Sequence, residues 1–124
     1  MTARIAVVED NPDNRLLVQA ILEDLYDITE YETGNDAVEG LEEDDPDLVL
    51  LDISLPGMDG PEVLQWIRER ESLRDIPVIA LTAHAMAGDR EKYLSLGFDE
   101  YVTKPIVDED VLMEAIERCL TTSD

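Results

Sequence analysis

Short apolar runs alternate with segments of helical periodicity, and this alternation most constrains the fold. Residues 5–8, 48–51 and 78–81 are unbroken apolar runs. Such runs are too short for core helices, and without polar alternation they are typical of parallel strands covered on both faces. The segments between them carry apolar residues three and four positions apart, which predicts amphipathic helices.

Two more polar segments, residues 27–32 and 100–103, are predicted to be edge strands, so the chain contains strand–helix units repeated five times. Right-handed crossovers between parallel strands put helices on both faces of the sheet. We therefore predict one doubly wound α/β domain over residues 1–124, with flavodoxin-like strand order 2-1-3-4-5 and a site at the carboxyl ends of the strands.

Capping residues and apolar spacing place the helices. Asn11-Pro12 predicts the start of the first helix, and Gly97 predicts the end of the fourth. The residues expected on the apolar faces are Val18, Ile21, Leu22 and Leu25, then Ala37, Val38 and Leu41, then Val63, Leu64 and Ile67, and finally Leu112, Ala115, Ile116 and Cys119, while the fourth helix carries Met86, Arg90, Tyr93 and Leu94.

The chain is strongly acidic: 31 Asp and Glu face nine Lys and Arg, for a formal net charge of −22. Such a surface repels nucleic acid and anionic membranes, so we expect neither as a partner. No apolar run approaches the length of about 18 residues that a membrane span needs, and no secretory signal is recognisable. Cys119 is the only cysteine, which is consistent with a cytoplasmic protein without disulfides.

Polar residues follow four of the predicted strands where each ends. They are Glu9-Asp10, Asp52, Thr82-Ala83 and Lys104-Pro105. Because the carboxyl ends of parallel strands meet at one edge of a sheet, three carboxylates, a hydroxyl and an ammonium should surround one pocket.

The chemistry of that set indicates phosphoryl acceptance by an aspartate. At an effective dielectric constant of about 20, each close carboxylate pair costs on the order of 4 kcal/mol. A divalent cation offsets this cost, and all-oxygen ligands suit Mg²⁺, with Mn²⁺ as a substitute. Lys104 and Thr82 can bind an anion beside a nucleophilic Asp52. Taken singly, each residue also has an ordinary structural explanation. Glu9-Asp10 could complement a helix dipole, Asp52 could be a turn residue, Thr82 could cap a strand, and Lys104 could be a surface charge. Only their joint placement at one edge of the sheet supports a functional site.

Over residues 5–120, the chain closely resembles the receiver domains of response regulators in two-component systems. The resemblance is carried by residues 7–11, 50–60, 79–83 and 101–105. It implies that Asp52 accepts the phosphoryl group, that Lys104 pairs with it, and that Thr82 is the switch hydroxyl. It also implies that Tyr101 is the switch aromatic, and that Mg²⁺ is held by Glu9, Asp10, Asp52 and the carbonyl of Ser54.

The resemblance implies further details. Ala83 leaves the phosphate a path, and the Lys104-Pro105 bond resembles the family's cis peptide. Ser54 and His84 occupy positions that tune loss of the phosphoryl group, although His84 also fits an ordinary exposed loop residue. Glu9 stands where aspartate is commoner, and its longer side chain can still reach the metal, through a water.

The partners implied by the resemblance are a sensor histidine kinase or a histidine phosphotransfer protein as donor, and a downstream protein that contacts the surface of the fourth helix, fifth strand and fifth helix. A weak phosphorylation-dependent homodimer is also expected. The chain ends soon after the fifth helix, which fits either a stand-alone receiver or a piece of a larger protein.

Two other classes of protein remain alternatives. A phosphohydrolase of the haloacid-dehalogenase type also uses a strand-end aspartate, but it has a second aspartate where this chain has Ser54. A pseudo-receiver would use the same fold as a constitutive binding module. Modification by acetyl phosphate and turnover of phosphomonoesters separate these classes.

The acidity itself has two interpretations: adaptation to a salt-rich cytoplasm, or an ordinary acidic surface. In 1 M salt the Debye length falls to about 3 Å, which screens self-repulsion. The first interpretation predicts that the thermal unfolding midpoint rises as KCl approaches molar concentration. A midpoint that does not rise in a calorimetric KCl series supports the second.

Overall fold

The computed structural model describes residues 2–83, 89–104, 106 and 108–122. Strands and helices alternate along the chain. They are β1 (Arg4–Val8), α1 (Pro12–Leu22), β2 (Asp27–Tyr31), α2 (Gly34–Asp44), β3 (Leu48–Asp52), α3 (Gly60–Arg68), β4 (Val78–Thr82), α4 (Asp89–Leu96), β5 (Glu100–Thr103) and α5 (Glu109–Thr122). Over the described residues, none of the helices has the length and apolar character required to cross a membrane.

The strands form one parallel sheet in the order β2-β1-β3-β4-β5, which confirms the predicted topology. Val8 pairs with Leu51, and Thr82 pairs with Thr103. This register brings the carboxyl ends of β1, β3, β4 and β5 to the same edge, where the polar residues lie.

The core has two layers, one on each face of the sheet. The first core layer lies between the sheet and α2, α3 and α4, and includes Leu41, Ile67, Tyr93 and Phe98. The second core layer lies between the sheet and α1 and α5. Every residue of β3 is buried because both layers cover it.

Most of the residues predicted to lie on the inner faces of the helices are buried there, but the prediction for Leu25 is wrong. α1 ends at Leu22, and Leu25 is 49% exposed. The chain turns here, with the Leu25 amide donating to the Leu22 carbonyl at 2.9 Å, and Tyr26 packs against the second core layer instead. Leu94 is 37% exposed on α4. Met86 lies outside the described residues.

Both predicted helix-end signals are confirmed. Asn11 caps α1, with its Oδ1 accepting from the Asp13 amide at 2.8 Å, and Pro12 is the first helical residue. Gly97 has a φ of +113°, a region that favours glycine. The Phe98 amide donates to the Tyr93 carbonyl at 3.2 Å, which closes the end of α4.

The Tyr31 side chain carries a buried hydroxyl. Its hydroxyl has no hydrogen-bond partner among the residues that the structure describes. Gly40 packs so closely on it that a Cβ at position 40 would lie 2.8 Å from the Tyr31 ring. The glycine therefore provides space for the aromatic ring, while no group in the described part of the chain hydrogen-bonds the hydroxyl.

Replacing Tyr31 by Phe should increase the free energy of unfolding by about 1 kcal/mol, because a buried polar group without a hydrogen bond costs about 1–3 kcal/mol. Urea denaturation would measure this, with the half-buried Tyr26→Phe as control. A Tyr31→Phe protein that unfolds at lower urea with an unchanged m-value would contradict the assignment.

Candidate functional site

Three carboxylates meet at the carboxyl edge of the sheet, as the sequence predicted. One oxygen each from Glu9, Asp10 and Asp52 lies within 4.8 Å of the others. Because Val8 pairs with Leu51, the residues that follow or end these strands are neighbours. Glu9 and Asp52 are buried, at 0% and 2% exposure, whereas Asp10 is exposed.

Lys104 bridges the two buried carboxylates. Its Nζ lies 3.0 Å from Glu9 Oε1 and 2.9 Å from Asp52 Oδ2. The Lys104 amide donates to the Thr82 carbonyl at 2.7 Å, which continues the pairing of β4 and β5 past the last strand residue. The ammonium thus comes from the edge strand β5 to the centre of the site.

Main-chain amides bind the remaining oxygens of the same carboxylates. The Ser54 amide donates to Asp52 Oδ1 at 3.0 Å, and the Asn11 amide donates to Glu9 Oε2 at 3.2 Å. Each buried carboxylate therefore has one oxygen on the lysine and the other on the backbone. These contacts offset part of the cost of removing the carboxylates from water.

Gly60, the first residue of α3, permits a close approach to the β3 backbone. A Cβ at this position would lie 2.4 Å from the Asp52 carbonyl oxygen and 2.7 Å from Ile53 Cα. The Gly60 amide donates to the Ile53 carbonyl at 3.1 Å. The loop after Asp52 is therefore held in place at both its start and its end.

Arg15 organises the acidic turn, and the sequence analysis missed it. Its Nη1 donates to the Glu9 carbonyl at 2.8 Å and to the Asp10 carbonyl at 3.2 Å, while its Nη2 pairs with Glu32 at 3.2 Å. Arg15 lies one turn after the Asn11 cap, and only that helical offset from the acidic pair could have suggested the contact.

The Thr82 hydroxyl is buried and contacts Tyr93, which the sequence placed on the fourth helix but did not connect with the site. Its Oγ1 lies 3.0 Å from the hydroxyl oxygen of Tyr93 on α4. Tyr101, the predicted switch aromatic, is half-buried, and its ring centroid lies 5.9 Å from that of Tyr93. Tyr93 therefore contacts both residues that were predicted to act together.

The roles predicted for several residues near the site stay predictions. Ser54 and Ala83 are exposed beside the site, and ligation of a metal by the Ser54 carbonyl stays a prediction. His84 and Pro105 lie outside the described residues, so the role of His84 and the cis peptide also stay predictions.

A family model described as "Response regulator receiver domain" matches residues 5–117. The chain belongs to that family. Receiver domains of two-component systems are switch domains rather than classical enzymes, and they pair with histidine kinases or phosphotransfer proteins.

Similar proteins include both sensor kinases and a small regulator. This receiver is 45% identical over 107 residues to the sensor protein GacS of Pseudomonas syringae pv. syringae, covering 83% of this chain but only 12% of GacS. It is 42% identical over 107 residues to the polar-differentiation response regulator DivK of Brucella ovis, covering 86% of this chain and 87% of DivK.

A solved structure with the same fold is the receiver domain of the sensor histidine kinase PA1611 from Pseudomonas aeruginosa PAO1. It aligns with a TM-score of 0.88 at 36% identity, over 98% of this chain and 100% of that one. That structure has a magnesium ion coordinated in its active site cleft.

The electrostatics of this receiver's site favour a cation. Burial and, after it, the neighbouring Asp52 raise the pKa of Glu9 from 4.5 to about 7, although Lys104 and the Asn11 amide act in the opposite direction. Burial alone would lower the pKa of Lys104, but its contacts with Asp52 and Glu9 raise it. The ammonium of Lys104 therefore does not neutralise the negative charge of the neighbouring carboxylates, and a further cation would stabilise them.

The residues present fit Mg²⁺. Their ligand atoms are all carboxylate oxygens, and the cluster combines two buried acids with an exposed one. A small hard cation that keeps several waters matches such a half-open oxygen site. Glu9, Asp10 and Asp52 would hold the ion.

The raised pKa of Glu9 predicts a pH dependence of the metal-free receiver. The folded state keeps a proton up to about pH 7 that the unfolded state releases near 4.5. The resulting stability is complete below 4.5 and is lost as the pH rises to about 7. The loss is on the order of 3 kcal/mol at most.

Glu9→Gln should remove this contribution, whereas Glu43→Gln, an exposed acid, should keep it. Urea denaturation in EDTA at several pH values measures the difference in unfolding free energy between each variant and wild type. In that difference the contributions of the other carboxylates cancel. Equal pH slopes for wild type and Glu9→Gln would show that Glu9 titrates normally.

Proposed function

We propose that this receiver takes a phosphoryl group onto Asp52 from a phosphohistidine of a sensor histidine kinase or a histidine phosphotransfer protein, with Mg²⁺ bound. The observation that carries the proposal is the contact of Lys104 with the buried carboxylates of Asp52 and Glu9, at 2.9 and 3.0 Å. A simple ion pair joins one acid to one base, whereas here one ammonium contacts two carboxylates and a third, that of Asp10, lies beside them.

The chemistry assigned to Asp52 is nucleophilic. One of its carboxylate oxygens forms the bond to phosphorus, the bond between phosphorus and the imidazole nitrogen of the donor breaks, and the nitrogen keeps the electron pair. The Ser54 amide and the Lys104 ammonium orient the carboxylate by holding one oxygen each. Such preorganised donors need little rearrangement as charge develops.

Lys104 then pairs with the transferred group, and the Thr82 hydroxyl donates a hydrogen bond to it. Bound by Glu9, Asp10, Asp52 and the Ser54 carbonyl, Mg²⁺ or its substitute Mn²⁺ would neutralise charge on the phosphoryl oxygens. The aspartyl phosphate adds negative charge and new acceptor oxygens at the tips of β3 and β4. The site thus acts as a switch rather than turning over a substrate.

The switched surface is proposed to be α4, β5 and α5. Tyr101 on β5 packs against the first core layer beside Tyr93 of α4. A change at Thr82 therefore reaches α4 and β5 through contacting side chains. A downstream protein would recognise this surface, and a weak phosphorylation-dependent homodimer would use the same one.

The donor protein is proposed to dock on α1. Leu16 is 67% exposed there and Leu17 is 38% exposed, on the helix that begins three residues after Glu9. A groove lined by Leu17, Ile21, Ile106, Asp108 and Glu109 continues this surface. An apolar patch on the helix whose Asn11 cap contacts Glu9 suits a partner that must bring its phosphohistidine to Asp52.

Incubation with acetyl phosphate and Mg²⁺ should add about one phosphoryl group to each chain, because Asp52 is the predicted nucleophile. The adduct should be labile to hydroxylamine, as an acyl phosphate is. Asp52→Asn should abolish it, whereas Asp75→Asn, a change of an exposed carboxylate, should not. Intact-mass spectrometry is the measurement.

Two outcomes would contradict the proposal. Wild type that stays unmodified by acetyl phosphate and by a histidine kinase would be a binding module. Full modification of Asp52→Asn would place the acceptor elsewhere. Turnover of a phosphomonoester would instead support the phosphohydrolase alternative.

A further inference from the structure

The hydrogen bond between Thr82 and Tyr93 has no part in the transfer chemistry proposed above. It joins the last residue of β4 to the middle of α4, with 3.0 Å between the two hydroxyl oxygens. Both residues are buried, at 2% and 4% exposure. A hydrogen bond excluded from water in this way is costly to break without a replacement.

The strand register shows which way the Thr82 hydroxyl is directed. Asp52 pairs with Leu81, and directly paired residues of parallel strands project from the same face of the sheet. Thr82 is the next residue, so its side chain projects from the other face, where Tyr93 belongs to the first core layer. To reach a group on Asp52, Thr82 must turn out of its contact with Tyr93.

The Tyr93 ring is itself held by aromatic neighbours. Phe98 meets it edge-on, with 6.3 Å between ring centroids, and Tyr101 lies at 5.9 Å with the planes tilted by 48°. The hydroxyl of Tyr93 therefore connects Thr82 to a packed cluster that spans α4 and β5. Release of that hydroxyl would free Tyr93 and Tyr101 to repack together.

We infer that Tyr93 is a positioning residue: its hydroxyl holds Thr82 in the unphosphorylated orientation, and this hydrogen bond is exchanged for one to the phosphoryl group when Asp52 is modified. The inference rests on the proposed acceptance of a phosphoryl group by Asp52. It makes Tyr93 a determinant of how readily the switch closes. If only a fraction of the molecules have Thr82 turned towards Asp52, the apparent affinity for a phosphoryl-like ligand falls in proportion to that fraction.

Beryllofluoride, which mimics a phosphoryl group on a carboxylate, tests the inference without turnover. Tyr93→Phe keeps the ring and its aromatic packing but removes the hydroxyl. In the presence of Mg²⁺ it should lower the apparent Kd for beryllofluoride by roughly 2- to 10-fold, the range expected for one hydrogen bond. Titration followed by NMR of the Thr82 amide gives both the Kd and the site that responds.

A double-mutant cycle separates positioning from packing. In a Thr82→Ala background, Tyr93→Phe should leave the Kd unchanged, because the hydroxyl has nothing left to hold. Tyr26→Phe removes a tyrosine hydroxyl beside the second core layer and should leave the Kd at the wild-type value. Circular dichroism during thermal unfolding checks that each variant is folded.

Each outcome bears on a definite claim. Unchanged or weaker binding by Tyr93→Phe, or an equal gain in the Thr82→Ala background, overturns the role of Tyr93 and leaves the acceptor function intact. Wild type that binds no beryllofluoride overturns the proposed function, and the inference with it. That failure is recognised from the wild-type protein alone.

Discussion

The contact of Lys104 with Glu9 and Asp52 is the interaction on which the rest of the site depends. Two buried carboxylates side by side would repel each other, and the ammonium that separates them comes from the end of β5. The three residues follow or end different strands: Glu9 lies 95 positions before Lys104, and Asp52 lies 52 positions before it. The site therefore exists only when β1, β3 and β5 stand in one sheet with their ends level.

Three of the few cations join oxygens of separate elements. The chain has nine Lys and Arg against 31 Asp and Glu. Lys104 and Arg15 both lie at the acidic edge of the sheet. Lys104 contacts the carboxylates of Glu9 and Asp52, and Arg15 donates to the main-chain carbonyls of Glu9 and Asp10. Arg68 braces the opposite end, where it donates to the carbonyls of Ile76 and Gly97. These three cations are thus placed where oxygens of separate elements converge.

The acidic edge and the aromatic cluster lie on opposite sides of β4, and Thr82 is where they meet. Its main chain binds Lys104 through the carbonyl oxygen, and its side chain contacts Tyr93. A few contacting residues therefore connect Asp52 with α4 and β5. The proposed switch would use this path.

Much of this protein was determined by the sequence alone. Apolar runs, each followed by polar residues, predicted the sheet, its order and the meeting of Glu9, Asp10, Asp52 and Lys104, because strand direction follows from local pattern and crossover handedness. They also predicted that the Thr82 hydroxyl would face the same pocket, but it contacts Tyr93 on the other face of the sheet. Leu25 was misplaced because periodicity does not show where a helix stops. The contacts of Arg15 and Tyr93 were decided only by the tertiary structure. Which atoms meet across elements depends on side-chain direction and packing, and no spacing along the chain encodes that.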